Sequence, residues 1–275
     1  MYRPIPFLLA AVTFHFRRDR VALLAEVAKP LSLIANRFIL VVVTNTLNKD
    51  DTQYMHETLS AAGAVPQFMV PTGLGHPYLL TWSHIPLFKK FLSSSEPISH
   101  FLYLEDDIVL EPKNIEYWIE GREFLRPHGL IPSFLRVERK DLSAPWVVTD
   151  HSRGYRIDDL PFVPQKPGFR FVNLPKPYQG MYLLDRELMT EYFKGPAYNP
   201  DFKVPLGGIR EAAAQGITFT NVPLGFTSRN LLLCNLDQAT VYPDALIHHA
   251  SNTYAQTPSP GGKGLLQLAD LLIKG

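Results

Sequence analysis

The chain has 275 residues, 46% hydrophobic and 19% charged, with a formal net charge of +1. That composition is globular, and it lacks the global field that would draw the protein to nucleic acid or anionic lipid. A single cysteine, Cys234, excludes an internal disulfide framework and a cysteine-rich zinc site, and it fits a reducing compartment.

In chain order, "PFLLAAVTF" is an apolar run bounded by Pro6 and the charged "RRDR", which predicts a buried first strand. A signal-peptide core is the weaker reading. Only Arg3 supplies a preceding basic charge, and no small-residue cleavage site follows. Val21, Leu24 and Ala28 keep helical spacing, with Pro30 just past the end. "RFILVVVTN" predicts a second strand whose two-sided apolarity indicates a parallel sheet covered on both faces. "KDDTQYMHETLSAAG" predicts a helix with acids in its first turn, a stripe of Met55, Leu59 and Ala62, and Gly63 as its stop. "VPQFMVPTG" predicts a third strand, "PYLLTWSHIPLFKKFLSSS" a helix despite Pro86, and "HFLYLEDDIVL" a fourth strand.

Strand and helix thus alternate up to Leu110, the rhythm of a doubly wound α/β half, in which ligands bind beyond the carboxyl ends of the strands. The second part loses this rhythm and holds most of the 24 prolines. "NIEYWIEGREFLR", "DRELMTEYFKG" and "LGGIREAAAQG" predict helices, and "PSFLRVER", "WVVTDHS" and "ITFTNVP" predict short strands. Residues 154–180 are expected to be loop-rich. There is no internal repeat, and no linker long enough to separate independent domains, so a single domain over 1–275 is expected.

The fourth strand runs straight into Glu105, Asp106 and Asp107. Asp and Glu form strands poorly, so these acids belong at the rim of the sheet. One reading is a solvated acidic turn. The other is a cation site, because crowded carboxylates repel unless a cation shares them, and Mg²⁺ or Mn²⁺ takes such oxygen ligands. Near the C-terminus, "PDALIHHASNTYA" places His248 and His249 after an apolar segment; tandem histidines are more often incidental than ligands.

A parallel α/β half whose fourth strand ends in an acidic triplet resembles the GT-A glycosyltransferases. These enzymes hold a divalent metal on a nucleotide-sugar diphosphate with a D-x-D motif, which here reads Glu105-Asp106-Asp107. The resemblance implies a GT-A-like, doubly wound, mostly parallel sheet with helices on both faces. Residues 1–112 would be the nucleotide-sugar-binding half and 113–275 a loop-rich acceptor-binding half. It implies Asp107 as ligand to Mn²⁺ or Mg²⁺, completed by His249 in preference to His248, with Glu105 or Asp106 near the ribose or donor sugar. Thr13, His15 and Arg17 would touch the nucleotide, Asn45 and Gly75 would contribute, and Arg229 would clamp phosphate. Glu211 would be the general base, with Asp201 as rival, and Tyr178, Gln179, Gly180 and Tyr182 would face the acceptor. The sequence departs from the family pattern in its Glu105 and in lacking a Glu-Asp pair before the last helix.

The function implied is metal-dependent transfer of a sugar from a nucleotide-diphosphate donor to a carbohydrate or glycolipid hydroxyl, as in polysaccharide synthesis. No nucleic-acid partner is expected. No apolar run is long enough to span a bilayer, so a cytoplasmic location, with or without peripheral contact at the inner membrane face, is expected. Two alternatives stand beside it: a nucleotidyltransferase of related fold, and a catalytically silent carbohydrate-binding or scaffold protein of the same fold. The first would usually carry glycine in the loop after strand one, where "TFHFRRDR" has none.

Overall fold

Seven consecutive buried residues, Leu8–Phe14, form the central strand β1 of a five-stranded sheet. The computed structural model describes residues 3–205, 207–259 and 262–274. The chain divides into two compact units, one made of residues 1–112 and 180–217, the other of residues 113–179 and 218–275.

In the first unit, β1 is followed by α1 (Val21–Ala28), β2 (Phe38–Thr44), α2 (Lys49–Ala61), β3 (Pro66–Met69), α3 (His84–Leu92) and β4 (His100–Glu105). Helix α1 buries Val21, Leu24, Val27 and Ala28, the stripe its spacing predicts with Val27 added. Helix α2 starts where the Asn48 side chain accepts the backbone N–H groups of Asp50 and Asp51, and it buries Met55 and Leu59. Ala62 lies past its end. The expected helix over 77–95 is broken into a 3-10 turn, Pro77–Trp82, and α3. The sheet order is β3-β2-β1-β4, all parallel, and the strand Met181–Asp185 adds antiparallel beside β4.

The chain leaves β1 toward β2 on one side and returns to β4 on the other. Right-handed crossovers then put helices on both faces, and the strand order reverses between β1 and β4. This is the α/β, doubly wound, mostly parallel GT-A-like arrangement read from the sequence. Residues 180–217, expected in the second half, belong to this first unit.

The second unit is built on the helix Pro112–Leu125, two small sheets and a two-stranded parallel pair, Tyr155–Arg156 with Leu272–Ile273. In one, Leu246–His249 runs parallel to Leu135–Glu138, which pairs antiparallel with Val147–Val148. In the other, the hairpin Phe162–Lys166 and Phe169–Val172 is joined by Asn230–Asn235 and Thr240–Val241. Two expectations are corrected here. The loop-rich stretch 154–180 contains that hairpin, and "ITFTNVP" forms turns instead of a strand. Its β-branched residues favour a strand, but Asn221 adopts a left-handed φ of 51° that ends any extended run. Among the described residues no helix is long and apolar enough to cross a membrane.

Candidate active site

The carboxyl ends of β1, β2 and β4 lie side by side, because Thr13 is in register with both Val43 and Glu105. Loops leaving this edge therefore converge. After β1, the backbone N–H of Phe16 donates to Asn45 Oδ1 at 2.7 Å, and Asn45 Nδ2 lies 3.4 Å from His15 Nε2. His15 and Asn45, together with Leu74, Gly75, His76, Pro77 and Leu80, line a cavity of about 380 Å³. Gly75 has φ +70°, a conformation open to glycine, and it brings bare backbone to the cavity wall. His76 Nδ1 accepts the Tyr78 N–H at 3.1 Å and so starts the 3-10 turn that carries Pro77 and Leu80.

Beside this cavity edge, β4 ends and Asp106 and Asp107 form a turn. The Arg20 guanidinium bridges them, 3.0 Å from Asp106 Oδ2 and 3.2 Å from Asp107 Oδ2. Arg20 was not singled out from the sequence; its only signal was a basic residue in the loop after β1. Burial and the charge of Asp107 push the Asp106 carboxyl up to about 6, although Arg20 works in the opposite direction. Burial disfavours charge on Arg20 too, but the two carboxylates outweigh it and raise the guanidinium further.

The remaining predicted residues divide by unit. In the first, Thr13 is buried at the end of β1, and Glu105 donates its backbone N–H to Gly180 O at 3.0 Å. Arg17 points to solvent and pairs with Asp19. Tyr182 lies in the core instead of facing an acceptor. Its ring stacks on Tyr103 with centroids 5.5 Å apart, and its hydroxyl is 2.5 Å from His84 Nε2. His84 is fully buried, which pushes its pKa down to about 3, so it is neutral. Glu211 sits in the first turn of the short helix Ile209–Ala213, where Oε2 accepts the Gly208 N–H at 3.0 Å and Oε1 accepts from Arg210 at 3.1 Å. Burial opposes its ionisation, but its own backbone N–H, Arg210 and Gly208 together hold the carboxyl below the usual range. Asp201 is exposed in a turn.

In the second unit, His249 Nδ1 pairs with the Glu138 carboxylate, whose other oxygen accepts the Ala255 N–H at 2.6 Å. Tyr254 stacks on the His249 ring at 5.8 Å. Glu138 is completely buried and was not recognised from the sequence. His248 Nε2 lies 3.0 Å from Asn252 Oδ1, with its ring edge-on to Trp146. Arg229, expected to clamp phosphate, is buried, and its Nε donates to Gly129 O at 2.8 Å. Gln179 is buried and its Oε1 accepts the Phe134 N–H at 2.8 Å, while Tyr178 lies under the Arg136 guanidinium at 4.7 Å. Asp107 and the histidines fall in different units, and among the described residues no group of three or more His, Cys, Asp or Glu forms a metal cage. The chemistry of the Asp106–Asp107 pair nevertheless suits a hard divalent cation, since both offer carboxylate oxygen and one is held in an unfavourable charge state.

No family model and no curated protein matches the chain. Among solved structures it is similar to 4-diphosphocytidyl-2C-methyl-D-erythritol synthase from Anaerococcus prevotii, at 12% identity over 88% of this chain and 87% of that one, with a TM-score of 0.36. It is similar to a Bacillus anthracis protein described as a glucose-1-phosphate thymidylyltransferase, at 11% identity over 71% and 79%, with a TM-score of 0.38. It is also similar to the galactosyltransferase LgtC in complex with donor and acceptor sugar analogues, at 12% identity over 76% and 69%, with a TM-score of 0.34. Likenesses at this level say nothing of this chain's own substrate.

Proposed function

We propose that the chain is a glycosyltransferase that takes a sugar from a nucleotide-diphosphate donor. The observation that supports this best is the pairing, on one edge of the parallel sheet, of a cavity lined by His15, Asn45 and Gly75 with the acidic Asp106–Asp107 turn. The cavity is of a size for a base and ribose. The turn is where a cation accompanying a diphosphate would find oxygen ligands. Asp107 would hold a Mg²⁺ or Mn²⁺ ion, with Asp106 beside it. When bound, that ion would supply positive charge to the departing diphosphate.

The chain's own groups do the rest. Asn45 is fixed by the Phe16 N–H and presents its amide beside His15, a polar pair for the nucleoside. Arg20 holds the acidic turn in place. Glu211 is the base in this reading: its capping and Arg210 contacts keep the carboxylate ionised and oriented, and they loosen as it accepts the acceptor hydroxyl proton. Asp201 is the rival.

Thermal-shift measurements with UDP-, GDP- and CMP-sugars, with and without Mn²⁺, followed by a turnover assay with the best donor, test the proposal. A metal-dependent shift that Asp107→Asn removes is expected, with turnover reduced about 10²–10⁴-fold by Glu211→Gln. Metal-independent binding that Asp107→Asn leaves intact would sink the metal assignment. Full turnover in Glu211→Gln with loss in Asp201→Asn would move the base.

A further inference from the structure

The cavity wall and the helix that carries Glu211 are fastened together at both ends of the helix, within the first unit. At its start, the indole Nε1–H of Trp82 donates to Ile209 O at 2.7 Å. Trp82 is 5% exposed and closes the same 3-10 turn, Pro77–Trp82, whose Pro77 and Leu80 line the cavity. A second contact on this side comes from Arg210, whose guanidinium lies 5.8 Å from the Tyr78 ring centroid. Just past the helix's end, the chain passes over Tyr182 so closely that a Cβ on Gly216 would sit 3.0 Å from the ring. A side chain there would require the ring to give way by a few tenths of an ångström, and the φ of +51° favours glycine as well. Tyr182 in turn meets His84, the first residue of α3, which directly follows the turn. The helix has five residues, too few to hold its own position in the absence of such anchors.

We infer that Trp82 is a positioning residue that couples the cavity to Glu211: a ligand pressing on Pro77 and Leu80 fixes the 3-10 turn, and through the indole hydrogen bond the turn fixes the helix. The buried hydrogen bond is the selective link, because the indole N–H has a single acceptor and that acceptor is a helix backbone carbonyl. The inference rests on the cavity being the nucleotide site. It adds that filling this site orders a carboxylate on a separate segment that does not itself line the cavity.

Hydrogen–deuterium exchange of the full chain tests this, with UDP, GDP and CDP in Mn²⁺ as probes and the tightest of them carried forward. In the wild type, the probe should slow exchange of residues 208–216 by about five-fold or more. Trp82→Phe keeps a ring in the core and removes the N–H. It should bind the probe within about two-fold of wild type and lose most of that slowing, with kcat falling while KM for the donor holds. A purely structural tryptophan would lower affinity and thermal midpoint together and leave the ligand-induced slowing in proportion to occupancy. Probe binding to the wild type with unchanged exchange in 208–216 overturns the coupling alone, and that arm does not depend on the variant folding. Full slowing in Trp82→Phe also overturns it. Binding of no probe to the wild type overturns the nucleotide reading, and the coupling falls with it.

Discussion

Arg20 with Asp106 and Asp107 in the first unit, and Arg136 with Asp150 in the second, are both arginine–aspartate arrangements, yet their electrostatics run in opposite directions. Arg136 grips Asp150 with two hydrogen bonds of 2.9 and 2.8 Å, the Thr149 hydroxyl adds a third at 2.6 Å, and Lys263 lies 3.7 Å away. Burial pushes the Asp150 carboxyl up, but Arg136 and these partners overcome it and hold the group at about 2. Asp106 moves the other way, to about 6, because burial and Asp107 together outweigh Arg20. The difference lies in the neighbours. Asp150 meets the cations Arg136 and Lys263, whereas Asp106 meets Arg20 and the like charge of Asp107. A carboxylate held low by its partners serves the fold. A carboxylate raised by burial and a like charge is of the kind that gathers at functional sites.

The largest expected effect breaks the satisfied arrangement. Asp150→Ala leaves the Arg136 guanidinium buried, at 3% side-chain exposure, with its main counter-charge gone. Removal of one partner from a buried pair costs about 3–5 kcal/mol. Urea denaturation should show that loss, with Asp106→Ala costing far less. A cost under about 1 kcal/mol for Asp150→Ala would mean the two arrangements do not differ as argued.

A smaller effect separates them by pH, in metal-free buffer. For Asp106 the folded value of about 6 lies above the ordinary 3.8, so between these the native state holds a proton the unfolded chain has released. Its stabilising contribution is complete below 3.8 and is lost as pH rises through about 6. For Asp150 the folded value of about 2 lies below 3.8, so its contribution is present above 3.8 and lost as pH falls through about 2. Asp106→Asn should therefore remove a decline in stability with rising pH of about 3 kcal/mol. Asp150→Asn should flatten the acid limb instead. Parallel stability–pH curves for wild type and Asp106→Asn would show that Asp106 is not perturbed.

The same contrast explains what the sequence disclosed. The first unit was legible up to Leu110 because its strands are unbroken apolar runs between helical stripes, and each keeps one period. The fifth strand of its sheet, Met181–Asp185, was not predicted, and its last residue, Asp185, was placed in the helix that follows. Its partner β4 lies about 80 positions earlier, and no local signal announces that pairing. In the second unit the hairpin Phe162–Lys166 and Phe169–Val172 hid behind Pro161, Pro164 and Pro167, residues that ordinarily demote a strand to an edge. The acidic turn was legible as three acids after a buried strand, and the cavity residues His15, Asn45 and Gly75 as strand ends. Arg20 and Glu138 were not. Each acts through a partner far along the chain, Asp106 and His249, and periodicity is blind to such pairs.

The smallest effect sharpens the comparison by removing each cation in turn. Arg20→Met keeps the aliphatic stem that packs near the turn and deletes the guanidinium, whose side chain is 28% exposed. Two carboxylates, 19% and 11% exposed, are then left to repel, and protonation of Asp106 relieves part of the penalty. The cost at neutral pH should be about 1 kcal/mol, reduced as pH falls below 6. Because Arg20 is the group that holds Asp106 down, its loss should drive the Asp106 carboxyl above about 6, which a carbon-detected carboxyl titration would read directly. Arg136→Met faces no such relief. Asp150 is 9% exposed, and its remaining cation, Lys263, is 43% exposed and 3.7 Å away, so the buried carboxylate would lose both guanidinium donors and keep the Thr149 hydroxyl. The ratio of the two costs is the sharper quantity, since errors of extrapolation fall on both. An Arg20→Met variant as unstable as Arg136→Met, with no rise in the Asp106 pKa, would make Arg20 a structural clamp and remove the electrostatic contrast between the two arrangements.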